Sequence, residues 1–254
     1  MEKTGMAKIM KTARRKKRAR LILAVTLSLV FVVAAAIAFN IIFSAANLTV
    51  VNNTDYSDGE LLSAAGISEK TPLLFMRESV ISGKIETAFP YVESVKIERQ
   101  WPRAATVTFE RAVPKYLLVT EGGTELVLSE GFKVLEQAGD NASGLVPVKN
   151  VTVNKYETGK KISGAENIEV GLLSEIVGCL KDFGFYDRLT SVDFSKKYNY
   201  VIILDGEITV ELGTSDDLDK KFDKLSEILK RNSEHTKLNI SVRNYKEGRC
   251  TVIE

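Results

Sequence analysis

The chain is poor in the residues that catalysis and covalent cross-linking most often use. Among its 254 residues there are one histidine, two cysteines, one tryptophan and five prolines. Two thiols are too few for a disulfide framework in a chain of this size. Whether Cys179 and Cys250 pair stays open at this point. Cys179 falls with Leu172, Ile176, Leu180 and Phe183 at helical spacing, which is the setting of a small core hydrophobe. His235 lies in a polar Asn-Ser-Glu-His stretch, where an imidazole is an ordinary solvated loop group. Gly-x-Ser-x-Gly, His-Glu-x-x-His, Cys-x-x-Cys, a Walker loop and a dinucleotide fingerprint are all absent.

No catalytic residue, metal ligand or cofactor site is therefore readable, and a non-catalytic chain without a cofactor is expected. Two carboxylates brought together only by folding would still suit a wall-active hydrolase, which stands as the alternative. A sensor ectodomain is a further one, but it needs an intracellular signalling module that a tail of about twenty residues cannot form.

Charge is unevenly placed. The net charge is +2, yet Lys3, Lys8, Lys11, Arg14, Arg15, Lys16, Lys17, Arg18 and Arg20 oppose only Glu2 in residues 1–20, so the rest of the chain is net acidic. An acidic body excludes nucleic acid as the expected partner, because phosphate binding needs a positive face on the folded part. Lys and Arg beside a membrane span hold that end in the cytoplasm. Contact of the tail with anionic lipid is the second reading.

What the chain does have is one long apolar run. Residues 21–39 carry no charge and only Thr26 and Ser28 as polar interruptions; after Asn40 the run continues through Ile41, Ile42 and Phe43. About 20 helical residues cross a hydrocarbon core about 30 Å thick. Ser44-Ala45-Ala46 resembles a signal-peptidase site. The long apolar run and long basic leader favour a retained anchor instead. The expectation is one span over residues 21–43, a cytoplasmic tail over 1–20, and the remainder on the other side.

Beyond the span, residues 47–114 read as strand, helix, helix, strand, strand. Leu48 to Val51 are strand-like, Ser57 or Asp58 can cap a helix closed by Gly66, and a second helix from about Glu78 carries Val80, Ile81, Ile85 and Ala88 as a buried stripe. Two alternating strands follow, joined by the turn Trp101-Pro102-Arg103. Pro114 is expected to interrupt strand pairing, as a hinge would.

The segment Val95-Lys96-Ile97-Glu98-Arg99-Gln100-Trp101-Pro102, followed by Val107-Thr108-Phe109-Glu110-Arg111-Ala112-Val113-Pro114, resembles the POTRA domain of the FtsQ/DivIB family of bacterial divisome proteins. In that pattern a strand ends in Arg-x-x-Pro and the next in Glu-Arg-x-x-Pro. The resemblance implies a POTRA domain over 44–114 and a β domain over 115–254, and so an α+β fold whose second part is mainly antiparallel with packing helices.

Residues 115–254 supply matching signals. Strands are read around Tyr116 to Val119, Leu126 to Leu128, Phe132 to Leu135 and Leu145 to Val148, with a polar loop over 139–144. A helix follows over 168–183. Asp205-Gly206 is a hairpin signal, and a further helix is read from Gly213-Thr214 with Asp216, Asp217 and Asp219 in its first turn. Two last strands flank the turn Lys246-Glu247-Gly248, with Ser241 where the family prefers Asp.

The resemblance further implies a septal scaffold that binds FtsL-like and FtsB/DivIC-like bitopic coiled-coil proteins. It places the contact on the last strands: Leu238, Ile240, Val242, Arg243, Arg249, Thr251 and Ile253.

Overall fold

The computed structural model describes residues 2–120, 122–139, 142–153, 155–162, 167–196 and 198–253, with the backbone alone for 2–21. Asp140 and Asn141 of the predicted polar loop lie outside the described residues, as do the side chains of the basic tail.

One helix, α1 (Glu2–Ile42), contains the apolar stretch Ile22–Ile42, none of which is buried by the rest of the protein. Its few polar groups are satisfied within the helix. Thr26 and Ser28 donate to the carbonyls of Leu23 and Val25 at 2.9 and 2.8 Å, and Asn40 Nδ2 donates to Ala36 O at 2.8 Å. In lipid no water could take those bonds, so internal pairing is what a spanning helix requires. The chain is a single-pass membrane protein with an α+β body.

A three-stranded sheet comes next. β1 (Asn47–Asn52) runs parallel to β3 (Ala104–Arg111), which pairs antiparallel with β2 (Val92–Gln100), in the order β1-β3-β2. Helices α2 (Asp58–Ala65) and α3 (Glu78–Ala88) cover one face. Ser57 caps α2 in a reciprocal box with Glu60, and Gly66 closes it at φ 70°. Leu61, Leu73, Met76, Ile85, Val92, Val107 and Phe109 form the core. The stripe on α3 is narrower than its spacing predicts: Ile81 and Ile85 are buried, but Val80 and Ala88 are exposed. An 11-residue helix lying on a small sheet turns only about one side of its surface inward.

The larger sheet has nine strands in the order β12-β11-β10-β9-β8-β7-β4-β5-β6. They are β4 (Pro114–Thr120), β5 (Glu125–Ser129), β6 (Val134–Gln137), β7 (Val146–Val151), β8 (Leu189–Asp193), β9 (Tyr200–Leu204), β10 (Ile208–Gly213), β11 (Leu238–Ser241) and β12 (Arg249–Val252). Pairs β4/β7, β7/β8 and β10/β11 are parallel and the rest antiparallel. Parallel neighbours need crossovers, and two are helical: α4 (Ile168–Asp182) between β7 and β8, and α5 (Leu218–Arg231) between β10 and β11. Leu173, Ile176 and Leu180 of α4 and Leu218, Phe222 and Leu225 of α5 share one core with Leu118, Val148, Val192, Ile202, Val210 and Ile240.

Two expectations need correction. Gly213 ends β10 and α5 starts at Leu218, so Asp216 and Asp217 precede the helix and only Asp219 occupies its first turn. Pro114 does not interrupt pairing. It heads β4 opposite Ser129, a strand's first residue being a place where a missing N–H is tolerated. The Asp205-Gly206 signal is met by a tight turn between Leu204 and Ile208, with φ 52° at Asp205 and 77° at Gly206.

Both cysteines are free thiols. Cys179 Sγ lies 3.7 Å from Asp219 Oδ1, and burial together with that carboxylate pushes its thiol up to about 11.

Candidate functional site

The last two strands form one end of the large sheet. β12 pairs only with β11, and among the described residues no strand lies beyond it. The register sets Leu238 against Val252, Asn239 against Thr251, Ile240 against Cys250 and Ser241 against Arg249. Ile253 N donates to Lys237 O at 3.1 Å, which makes 237/253, 239/251 and 241/249 the hydrogen-bonded pairs. The main-chain N–H and C=O of Cys250 and Val252 therefore point outward, away from the sheet.

Side chains alternate across this edge. Leu238 and Ile240 are fully buried under α5, and Val242 is buried just beyond them. These three residues hold the edge in place and offer no side chain to a neighbour. Arg243, Arg249, Thr251 and Ile253 are exposed. Arg249 and Thr251 share the face without helices with Ser241 and Asn239, while Cys250 and Val252 lie on the other.

The connection between β11 and β12 is braced against α5. At Gly248 a side chain would meet Lys224 at 2.9 Å and Ile228 at 3.1 Å, so glycine permits the close approach. Lys220 Nζ sits 5.2 Å from the Tyr245 ring centroid, a cation over an aromatic face. Its proton is held more tightly than usual, first by the hydrogen bond to Asp217. The sequence reading missed Cys250 and Val252, the residues whose main chain faces out. Only the hydrogen-bond phase of the β11/β12 pair identifies them, and no residue type encodes it.

The opposite end of the sheet is closed. Val134 N donates to Lys160 O at 3.0 Å, Gly159 N to Val134 O at 2.8 Å, and Gln137 Nε2 to Tyr156 Oη at 2.8 Å, so residues 156–160 cover β6. In the small sheet Glu78 takes the N–H of Ile97 on β2, while among the described residues no strand lies on the outer side of β1.

No group of three or more metal-ligating side chains occurs among the described residues, and His235 is exposed.

A spanning helix, a small mixed sheet with two helices, and a larger sheet with one unpaired edge define a membrane-anchored α+β module. Residues 43–110 match the family model of the POTRA domain, FtsQ-type, and this match supports assigning the chain to the FtsQ/DivIB family. No curated protein matches the chain. A POTRA domain of this type supports a role in cell division and points to protein–protein interaction there.

Proposed function

We propose that the protein is a non-catalytic divisome scaffold, anchored by its single span, whose extracytoplasmic part gathers other bitopic division proteins at the septum. The observation that carries this reading is the FtsQ-type POTRA match over 43–110, directly continuous with the spanning helix. The basic tail favours a cytoplasmic N-terminus. FtsL-like and FtsB/DivIC-like coiled-coil proteins are the proposed partners, and a strand of one of them adding to β12 is the proposed contact. An open edge supplies main-chain hydrogen bonds, and Arg249, Thr251 and Ile253 supply selectivity. The division at residue 114 into two domains is part of the same proposal.

Depletion of the protein in its own cells tests the function. Filaments with regularly spaced DNA are the expected outcome, and lysis or cells of normal length would reject it.

A further inference from the structure

The spanning helix does not hand over to the body through a linker. It ends at Ile42, and residues 43–47 are at once bonded on two sides. Leu73 N donates to Phe43 O and Ala45 N to Thr71 O, both at 2.9 Å, and Asn47 N donates to Arg103 O at 3.0 Å. Aromatic rings continue the connection. Phe39 in the span lies 4.4 Å from Phe43, which meets Trp101 edge-on at 5.6 Å. Two loops distant in sequence, 72–76 and 101–103, are thereby fixed beside the end of the span.

These loops carry exposed apolar surface: Leu74, Phe75 and Trp101 are 50, 66 and 53% exposed. Large apolar groups left in water at a place held against a bilayer lose free energy by entering it. Trp is the side chain best suited to the headgroup layer, with an apolar ring and one N–H donor. Cations stand around them, since Lys70, Arg77, Arg99 and Arg103 are all exposed. A crevice of about 340 Å³ at the junction is lined by Asn40, Ile41, Ser44, Lys70 and Arg103, with Glu69 the one acid on its wall.

We propose that loops 72–76 and 101–103 form a second membrane contact, with Leu74, Phe75 and Trp101 in the interfacial layer and Lys70 and Arg103 on lipid phosphate. The occupant is bilayer lipid because the patch is continuous with the span, and this rests on the span's crossing a bilayer. The body would then be held at a fixed tilt and height.

Trp101 is the only tryptophan in the chain, so the full-length protein carries its own reporter. The chain is reconstituted in phosphatidylcholine and phosphatidylglycerol vesicles and first floated with them through alkaline carbonate. Failure to float rejects the anchor itself and is read separately. In floated protein, lipid brominated near the top of its acyl chains is expected to quench most of the Trp101 emission, while iodide in the water leaves it largely unquenched. A Phe75→Trp, Trp101→Phe chain moves the reporter to the other loop, and the same pair of results is expected there. Wild-type Trp101 open to iodide and untouched by bromolipid overturns the proposal, as does a reporter at position 75 that stays in water. Protection from iodide that disappears as protein is diluted in lipid assigns the patch to a second protein copy, and also overturns it.

Discussion

The ammonium of Lys133, which has 1% of its surface exposed, donates to the main-chain carbonyl of Val92. It joins the turn before β6 in the large sheet to the first residue of β2 in the small one. Around it stand Glu86, Glu93 and Lys161, with Lys161 Nζ 3.6 Å from Glu93 Oε1. Burial lowers the Lys133 pKa below 10.5 despite the two nearby carboxylates.

A depressed lysine in the folded state means that the unfolded chain binds more protons between the folded value and 10.5. Lys133 therefore makes stability rise with pH as that window is approached from neutrality. Lys133→Met keeps the stem and removes the charge. It is expected to change stability at neutral pH by less than about 1.5 kcal/mol and to flatten the alkaline rise. Melts of the two chains at several pH values below 10 check this, and an unchanged slope would refute it.

The same seam has a steric lock. At Gly159, with φ 85°, a side-chain carbon would stand 1.9 Å from the Glu86 carbonyl oxygen. Gly159→Ala should cost about 2 to 4 kcal/mol, part from the left-handed backbone and part from the clash. At Gly131 the obstacle 2.0 Å away is the end of the Glu93 side chain, which can swing aside. Gly131→Ala should cost about 1 kcal/mol. If residues 115–254 fold alone, Gly159→Ala should cost about 1 to 2 kcal/mol there, because only the backbone strain remains. Denaturant titrations of both lengths measure the difference, and equal costs would place the clash elsewhere.

Above pH 10 a different group governs. Tyr116 is fully buried and its hydroxyl donates to Tyr186 Oη at 3.3 Å. Burial first, then Tyr186 and Glu130, raise its pKa far above 10.0. Its contribution is complete below 10.0 and is lost as the pH climbs from there toward the folded value, because the unfolded phenol ionises first. Tyr116→Phe should lose about 1 kcal/mol at neutral pH for the missing bond, and its stability should fall less steeply above pH 10. Tyr186, also raised mainly by burial, leaves part of the slope. Urea titrations at about pH 8 and about pH 11 decide it.

For the β12 edge, proline scanning separates folding from docking. Thr251 belongs to a pair bonded to β11, so Thr251→Pro should weaken the sheet itself. The N–H of Val252 points outward, so Val252→Pro should leave the melt nearly unchanged and abolish capture of an FtsB/DivIC-like partner. Arg249→Glu should weaken capture through a rim charge, with stability changed by no more than about 0.5 kcal/mol. Val252→Pro binding like wild type would move the dock to another surface, with the outer edge of β1 the next to examine.

Features with local causes were legible in the sequence. The Ser57 and Glu60 box, Gly66, the Asp205-Gly206 turn and the apolar span each announce themselves within a few residues. Features decided by packing were not. Nothing near Lys133 says that it is buried, and Val80 has the spacing of a core residue while 52% exposed. The start of α5 is not legible either, because acidic residues before a helix resemble those of its first turn, and β10 runs on to Gly213. At the candidate edge, the strands could be read but their phase could not. The resemblance points to whole strands, and a strand's apolar alternation does not tell which face is roofed by a helix, so the burial of Leu238, Ile240 and Val242 is visible only in the fold.

The covered β6 and bare β12 give the large sheet a direction. A strand arriving at β12 lengthens the sheet from one end only, because residues 156–160 occupy the other. Copies of this sheet therefore cannot line up head to tail into a fibre, which needs two different free ends. Edge to edge they can only pair β12 with β12, a closed twofold arrangement that hides the very surface an incoming strand would use. Self-pairing and partner capture through this sheet are thus mutually exclusive.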